Sequence, residues 1–153
     1  MVRYRNFTSS DAPEVFEILE RDRDIAYWCG FTQPKTLEQA REYVIGLSTR
    51  PYWYAIIKGG KIAGCVSLVP KDDGMELGYW VASGFRRQGL MRQAIRHMLK
   101  VVRGVKGIKV VYCGWFEGND ASEQLQKSLG FEEYGEVEVP FATGKEHLTK
   151  KEI

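Results

Sequence analysis

From Met91 onward the apolar residues fall at Met91, Ala94, Ile95, Met98, Leu99 and Val102. That 3.6-residue period predicts a helix with one face toward a core, while Arg92, Arg96, Lys100 and Arg103 take the opposite, solvated face. Two earlier stretches repeat the pattern behind capping boxes. Thr8 and Asp11 open a stripe of Ala12, Val15, Phe16 and Leu19, and Thr36 and Gln39 open one of Leu37, Ala40, Tyr43, Val44 and Leu47. β-rich runs lie at 2–7, 52–58, 61–69 and 75–81, and Gly59-Gly60 joins the second and third as a hairpin. A turn at 71–74 returns the chain, giving three antiparallel strands in a row. After the long helix, 108–116 is a strongly apolar strand, and a strand-helix-strand connection of this length makes a right-handed parallel crossover. Asn119 or Asp120 caps a last helix, Gly130 suits its C′ position, and Phe131 suits the accompanying apolar contact. Strands near 131–139 and 145–152 complete the sheet. The expected product is one α/β (α+β) domain over residues 1–153, with a mixed, mostly antiparallel sheet of about seven strands, one parallel pair and about four helices.

Composition narrows the partners. A net charge of +2 over 153 residues, with Lys and Arg scattered rather than striped, argues against nucleic acid. No segment is long and apolar enough to cross a bilayer, and Met1-Val2-Arg3-Tyr4-Arg5 lacks a signal core, so the expectation is no membrane partner and a cytoplasmic location. Cys29, Cys65 and Cys113 are odd in number and widely spaced, which argues against a disulfide framework or a metal site. Cys65 and Cys113 read as small buried hydrophobes.

The candidate chemistry lies at the start of the long helix. Gly78-Tyr79-Trp80-Val81 is followed, after a short span, by Arg86-Arg87-Gln88-Gly89-Leu90-Met91. A strand, a glycine turn and a helix N-terminus make an anion cradle, because the first helix amides have no intrahelical partner and Gly89 has no side chain to hold a phosphate away. Such a turn also serves as an ordinary strand-to-helix connection.

The run from Met75 to Leu99 resembles the acetyl-CoA signature of the GNAT superfamily of N-acetyltransferases, with Arg86 and Gly89 at its motif positions. Met91 stands where the motif prefers Gly or Ala, a departure that resembles the ribosomal-protein N-terminal (alanine/serine) acetyltransferase branch. Glu117-Gly118-Asn119-Asp120-Ala121-Ser122 with Leu129-Gly130-Phe131 resembles the Asn-x-x-Ser helix and closing Gly-Phe of that branch. The resemblance covers residues 3–131 and implies a GNAT-like three-layer fold in which the parallel strands splay, and acetyl-CoA as cosubstrate. It implies that Trp80, Val81 and Ala82 offer backbone to the pantetheine arm. Arg86 and the amides of Arg87, Gln88, Gly89, Leu90 and Met91 would hold the pyrophosphate. Asn119 resembles the family residue that bonds the cofactor, and it equally caps a helix.

Acetyl transfer to an amine needs a neutral amine, a donor for the oxyanion and a proton for the leaving thiolate. An α-amine of pKa near 8 needs less help than a lysine near 10.4. A strand amide near Val81 suits the oxyanion. For the base, Glu76 matches a carboxylate used by several superfamily members, and Glu117 is the second candidate. Many members carry a tyrosine four residues beyond Ser122; here that residue is Gln126, whose loss is expected to be mild, and Ser122 resembles the serine given the acid role in the Asn-x-x-Ser branch, while it equally suits the first turn of a helix. Residues 24–34, with Tyr27, Trp28, Cys29 and Phe31, form either an acceptor wall or core. The acceptor implied is a primary amine: a protein N-terminus, a polyamine or a small amine. A homodimer is compatible with this reading. The alternative is a non-catalytic acyl-CoA-binding module or sensor on the same fold.

Overall fold

In the computed structural model, which describes residues 1–141 and 144–153, the strands are β1 (Val2–Asn6), β2 (Trp53–Lys58), β3 (Lys61–Lys71), β4 (Gly74–Val81), β5 (Val110–Phe116), β6 (Glu132–Glu138) and β7 (Lys145–Glu152). They form one sheet in the order β1-β2-β3-β4-β5-β7-β6, antiparallel throughout except for the β4–β5 pair. The helices are α1 (Ala12–Arg21), α2 (Asp24–Cys29), α3 (Leu37–Ser48), α4 (Leu90–Arg103) and α5 (Asp120–Ser128). The additional helix relative to the sequence expectation is α2, six residues that bury Ile25 and Ala26 and end at Gly30 in the left-handed conformation. Six residues are too few for a periodicity to register.

Alternation along the strands divides the core between two faces. On one, the apolar stripe of α4 packs against Val66, Leu68, Leu77, Val111 and Cys113, and Leu125 of α5 joins it. On the other, Val15 and Leu19 of α1 and Val44 and Leu47 of α3 pack against Ala55, Ile57, Cys65 and Trp80. The Thr36 cap starts α3 as expected, with Gln39 N–H donating to Thr36 Oγ1 (3.1 Å), whereas the Thr8–Asp11 box, with Thr8 N–H donating to Asp11 Oδ2 (2.9 Å), closes a 3-10 turn over Ser9–Asp11 that leads into α1. At the far end of α5, Phe131 N–H reaches the Gln126 carbonyl (3.0 Å) past Gly130, a left-handed cap that buries Phe131.

The parallel pair is short. β4 and β5 are in register at Met75↔Val111 and Glu76↔Tyr112, and beyond those positions they part. Gly74 holds the base of the split closed, since a Cβ there would lie 2.1 Å from the Val110 carbonyl oxygen. The right-handed crossover through α4 places that helix's N-terminus beyond the carboxyl end of β4, beside the split. Among the described residues no helix is long and apolar enough to cross a membrane.

Candidate active site

A cleft of about 810 Å³ follows the split between β4 and β5. Tyr79 from β4 and Ser122 from α5 line it, as do Glu76 and Glu146, and Arg86, Arg87, Gly89 and Arg92 line it past the end of β4. By strand alternation Tyr79 shares the α4/α5 face of the sheet, whereas Glu76, Gly78 and Trp80 share the α1/α3 face. The split is therefore a passage through the sheet, with hydroxyls on one side and carboxylates on the other.

The glycine turn is open in the way an anion requires. Gly89, at φ 73°, is the residue before α4, and a Cβ on it would meet nothing within 4 Å. The first backbone bond into the helix is Gln93 N–H to Gly89 O (3.1 Å), which leaves the amides of Leu90, Met91 and Arg92 without a preceding carbonyl. Leu90 and Met91 bury their side chains in the core, so only their backbone faces the turn. Arg87 also adopts positive φ (62°). Arg86 is held by an ion pair with Asp22, and Gln88 Oε1 accepts from Lys58 Nζ (2.7 Å). Both side chains are thus committed to neighbouring elements; Arg87 and Arg92 line the cleft beside the amides, Arg92 with its Nη1 donating to Ser128 Oγ (2.7 Å). These features fit a pyrophosphate.

On β4 the expected backbone donors divide. Ala82 N–H donates to the Ala63 carbonyl (2.8 Å), and the same antiparallel register turns the backbone of Trp80 toward β3. Val81, together with Tyr79, faces the split. The backbones of Ala82 and Trp80 are therefore turned to β3, and those of Val81 and Tyr79 to the split.

The carboxylates also divide. Glu76 faces the cleft, and Lys71 Nζ stands 3.0 Å from its Oε2. Glu117 does not line the cleft; its Oε1 lies 3.3 Å from His147 Nε2, on the α5 side of β7, where His147 stacks on Trp115. The acid that sequence reasoning missed is Glu146, the second residue of β7. Its carboxyl is pushed up by burial and then by Glu76, with Lys71 opposing. Within the polar run Lys145-Glu146-His147 nothing distinguishes it, and only the pairing of β7 with β5 brings it to the cleft.

Asn119 caps α5, its Oδ1 accepting from Ser122 N–H (3.4 Å). Ser122 Oγ bonds the Tyr79 hydroxyl and lies 3.1 Å from Gln126 Nε2. Gln126 is 0% exposed, its Nε2 also reaching the Tyr79 hydroxyl (2.9 Å) and the Gly114 carbonyl (2.7 Å), while Thr149 Oγ1 donates to its Oε1 (2.7 Å). Burial pushes the Tyr79 phenol well above its ordinary value. Cys29 and Trp28 of α2 line the same cleft, which puts part of the expected aromatic wall there; Phe31 instead stacks on Tyr43 in the core beneath α3.

The chain matches the acetyltransferase (GNAT) domain family over residues 2–132. No curated protein matches it. Its fold is similar to that of an acetyl transferase from Salmonella typhimurium that modifies the N-terminal serine of the 50S ribosomal subunit protein L7/L12, at TM-score 0.86 and 19% identity over 99% of this chain and 95% of that one. The ribosomal-protein-S5-alanine acetyltransferase from Vibrio fischeri is similar at TM-score 0.80 and 21% identity, over 99% and 92%. RimJ from Mycobacterium smegmatis, solved in complex with CoA-disulfide, is similar at TM-score 0.83 and 19% identity, over 99% and 81%. The match across the sheet, the glycine turn and the split strands shows that the chain belongs to the GNAT family of acetyltransferases, which use acetyl-CoA.

Proposed function

We propose that the protein moves the acetyl group of acetyl-CoA directly to the primary α-amine of a protein N-terminus. The observation that carries the reading is the order of groups along the cleft: free helix amides with Arg87 and Arg92 at one end, the Tyr79 and Ser122 hydroxyls in the split, and Glu76 and Glu146 beyond it. When bound, acetyl-CoA supplies a thioester carbonyl, and its C–S bond breaks as the amine N–C bond forms. The amides of Leu90, Met91 and Arg92 hold the pyrophosphate, with the helix dipole behind them. The Val81 amide faces the split and serves the developing oxyanion.

Glu146 is the base. A carboxylate whose affinity for protons is raised by burial removes a proton from an ammonium of pKa near 8 far more readily than from one near 10.4, which favours an N-terminus over a lysine. Glu76, salt-bridged to Lys71, adds negative potential that attracts the cationic acceptor and keeps Glu146 basic. Ser122 donates a hydrogen bond to the sulfur as it leaves. Over one turnover the ammonium gives up two protons, one to bulk water through Glu146 and one that ends on the CoA thiol.

Two of the structural neighbours named above act on ribosomal-protein N-termini, which supports the acceptor class. The presence of a base and a hydroxyl on opposite sides of the split supports transfer over a non-catalytic acyl-CoA-binding module. CoA thiol release on mixing with acetyl-CoA tests both points. The acceptors are peptides with free N-termini, the same peptides N-blocked but carrying lysine, a polyamine and a small aliphatic amine. Release is expected with the free N-termini above all others. Tight acetyl-CoA binding without release from any acceptor would favour the sensor, and equal rates with N-blocked peptides would overturn the acceptor assignment.

A further inference from the structure

Two partners fix the orientation of the Gln126 amide. The Gly114 carbonyl can only accept, so the amide atom facing it at 2.7 Å is the nitrogen, and Oε1 then accepts from Thr149. An amide nitrogen has two hydrogens. One goes to Gly114, and the other has the Tyr79 hydroxyl at 2.9 Å as its nearer acceptor and Ser122 Oγ at 3.1 Å as its farther one. When the phenol oxygen takes the nearer Gln126 hydrogen, its own hydrogen completes the bond to Ser122 Oγ. Ser122 Oγ then accepts from Tyr79, and the Ser122 hydrogen is the one member of the chain with no acceptor among these groups, on a side chain that lines the cleft. Thr149, Gly114, Gln126, Ser122 and Tyr79 come from β7, β5, α5 and β4, the elements that surround the split.

We infer that Tyr79 is the positioning residue for Ser122, a phenol delivered from strand β4 whose hydroxyl fixes the serine as a donor aimed into the cleft. The inference rests on the acetyl-transfer reading above. Without an oriented partner, a serine hydroxyl on the first turn of a helix rotates freely or bonds back to the helix. Bound to the phenol, Ser122 presents its hydrogen to the leaving sulfur as negative charge grows there, and the phenol hydrogen strengthens that donation by stabilising charge on Ser122 Oγ. Tyr79 keeps its proton throughout, so the chain is unchanged at the end of each turnover. Gln126 has a part of its own in this arrangement, holding both hydroxyls in line rather than standing in for an absent acid.

The test is a double-mutant cycle on the full chain with acetyl-CoA and a free N-terminal peptide. Tyr79→Phe keeps the ring, and Gln126 keeps its bonds to the Gly114 carbonyl and Thr149, so the variant folds. Melting curves check this. A hydrogen bond to a group that gains charge supplies about 1.5 to 3 kcal/mol, so kcat for Tyr79→Phe falls about 10- to 100-fold with KM for acetyl-CoA unchanged. Ser122→Ala lowers kcat at least as much, and the double variant is no slower than Ser122→Ala alone, because the phenol acts through the serine. A folded Tyr79→Phe within twofold of wild-type kcat overturns the inference, as do losses that multiply in the double variant. Absence of CoA release by the wild-type chain with every acceptor overturns the acetyl-transfer reading, and the inference with it.

Discussion

The Glu146 carboxylate lies over Gly114, occupying the space that a side chain there would enter. A Cβ at position 114 would sit 3.2 Å from Glu146 Oε1 and 2.7 Å from the His147 carbonyl oxygen. A glycine on β5 thus lets an acid from β7 reach the cleft between β4 and β5. The carbonyl of the same glycine accepts from the Gln126 amide nitrogen (2.7 Å).

Gly114→Ala should therefore reduce both stability and activity. The 2.7 Å approach is to backbone, which can yield only by moving β7, and overpacking of this kind costs about 1 to 3 kcal/mol. We expect a lower melting temperature and a lower kcat/KM with acetyl-CoA affinity retained. A variant as stable and as active as wild type would show that the strands accommodate the methyl group freely.

Glu146→Gln separates function from stability. The Glu146 carboxyl holds its proton more tightly when folded than when unfolded, because of burial and Glu76. Its contribution to stability is thus fully present below the unfolded value near 4.3 and is lost as pH rises through the raised folded value. At pH 7 the glutamine variant should melt higher than wild type, and at pH 4 the difference should vanish. Activity moves the other way: kcat/KM at pH 7 falls about 10²- to 10⁴-fold and recovers near pH 9, where the acceptor deprotonates by itself. Glu76→Gln removes the negative neighbour, so the acid limb set by Glu146 shifts to lower pH. A Glu146→Gln profile that superimposes on wild type would return the base role to Glu76 or to solvent.

Gly89→Trp puts an indole where the helix amides meet the anion. Because nothing lies within 4 Å of a Cβ at this position, the ring has room in the free protein and should block only the ligand. Positive φ at a residue other than glycine costs about 1 to 2 kcal/mol, so some stability is also lost. Calorimetry should show acetyl-CoA affinity reduced more than tenfold. An unchanged dissociation constant would move the pyrophosphate away from the Gly89 turn.

His147 sits between Glu133 (Nδ1 to Oε2, 2.8 Å) and Glu117, and its imidazolium is favoured first by the Glu133 hydrogen bond and then, against a cost of burial, by Glu117. Its folded value is raised above the ordinary 6.5. The stability it contributes is present below about pH 6.5 and lost as pH rises through the folded value. His147→Gln should flatten the rise in melting temperature seen when pH is lowered from 8 to 6. Glu117→Gln should flatten it partly while leaving kcat/KM within about threefold, since that carboxylate lies outside the cleft. A tenfold loss of kcat/KM in Glu117→Gln would restore Glu117 to the catalytic groups.

Much of the molecule was legible in the order of its residues. Helix and strand periods, capping pairs such as Thr36 with Gln39, and the glycine turn before Leu90 depend on interactions within a few residues, and local spacing records them. The glycine turn was read for that reason, and Ser122 through the resemblance of its surrounding run to a family motif. Glu146, Tyr79 and the interior role of Gln126 were not, because each depends on partners far along the chain. Glu146 meets the cleft only because β7 inserts between β5 and β6 and Gly114 has no side chain. Tyr79 meets Ser122 only where β4 and β5 separate, 43 residues apart in sequence. Glu117, one residue past β5, read as a cleft acid by its place in the chain, yet strand alternation turns it to the other face beside His147. Sequence alone thus determined the open glycine turn at the start of α4 and the elements other than α2. The long-range register of the sheet decided which face each acid and hydroxyl shows, since a side chain's direction on a strand is settled by pairing and not by its immediate neighbours.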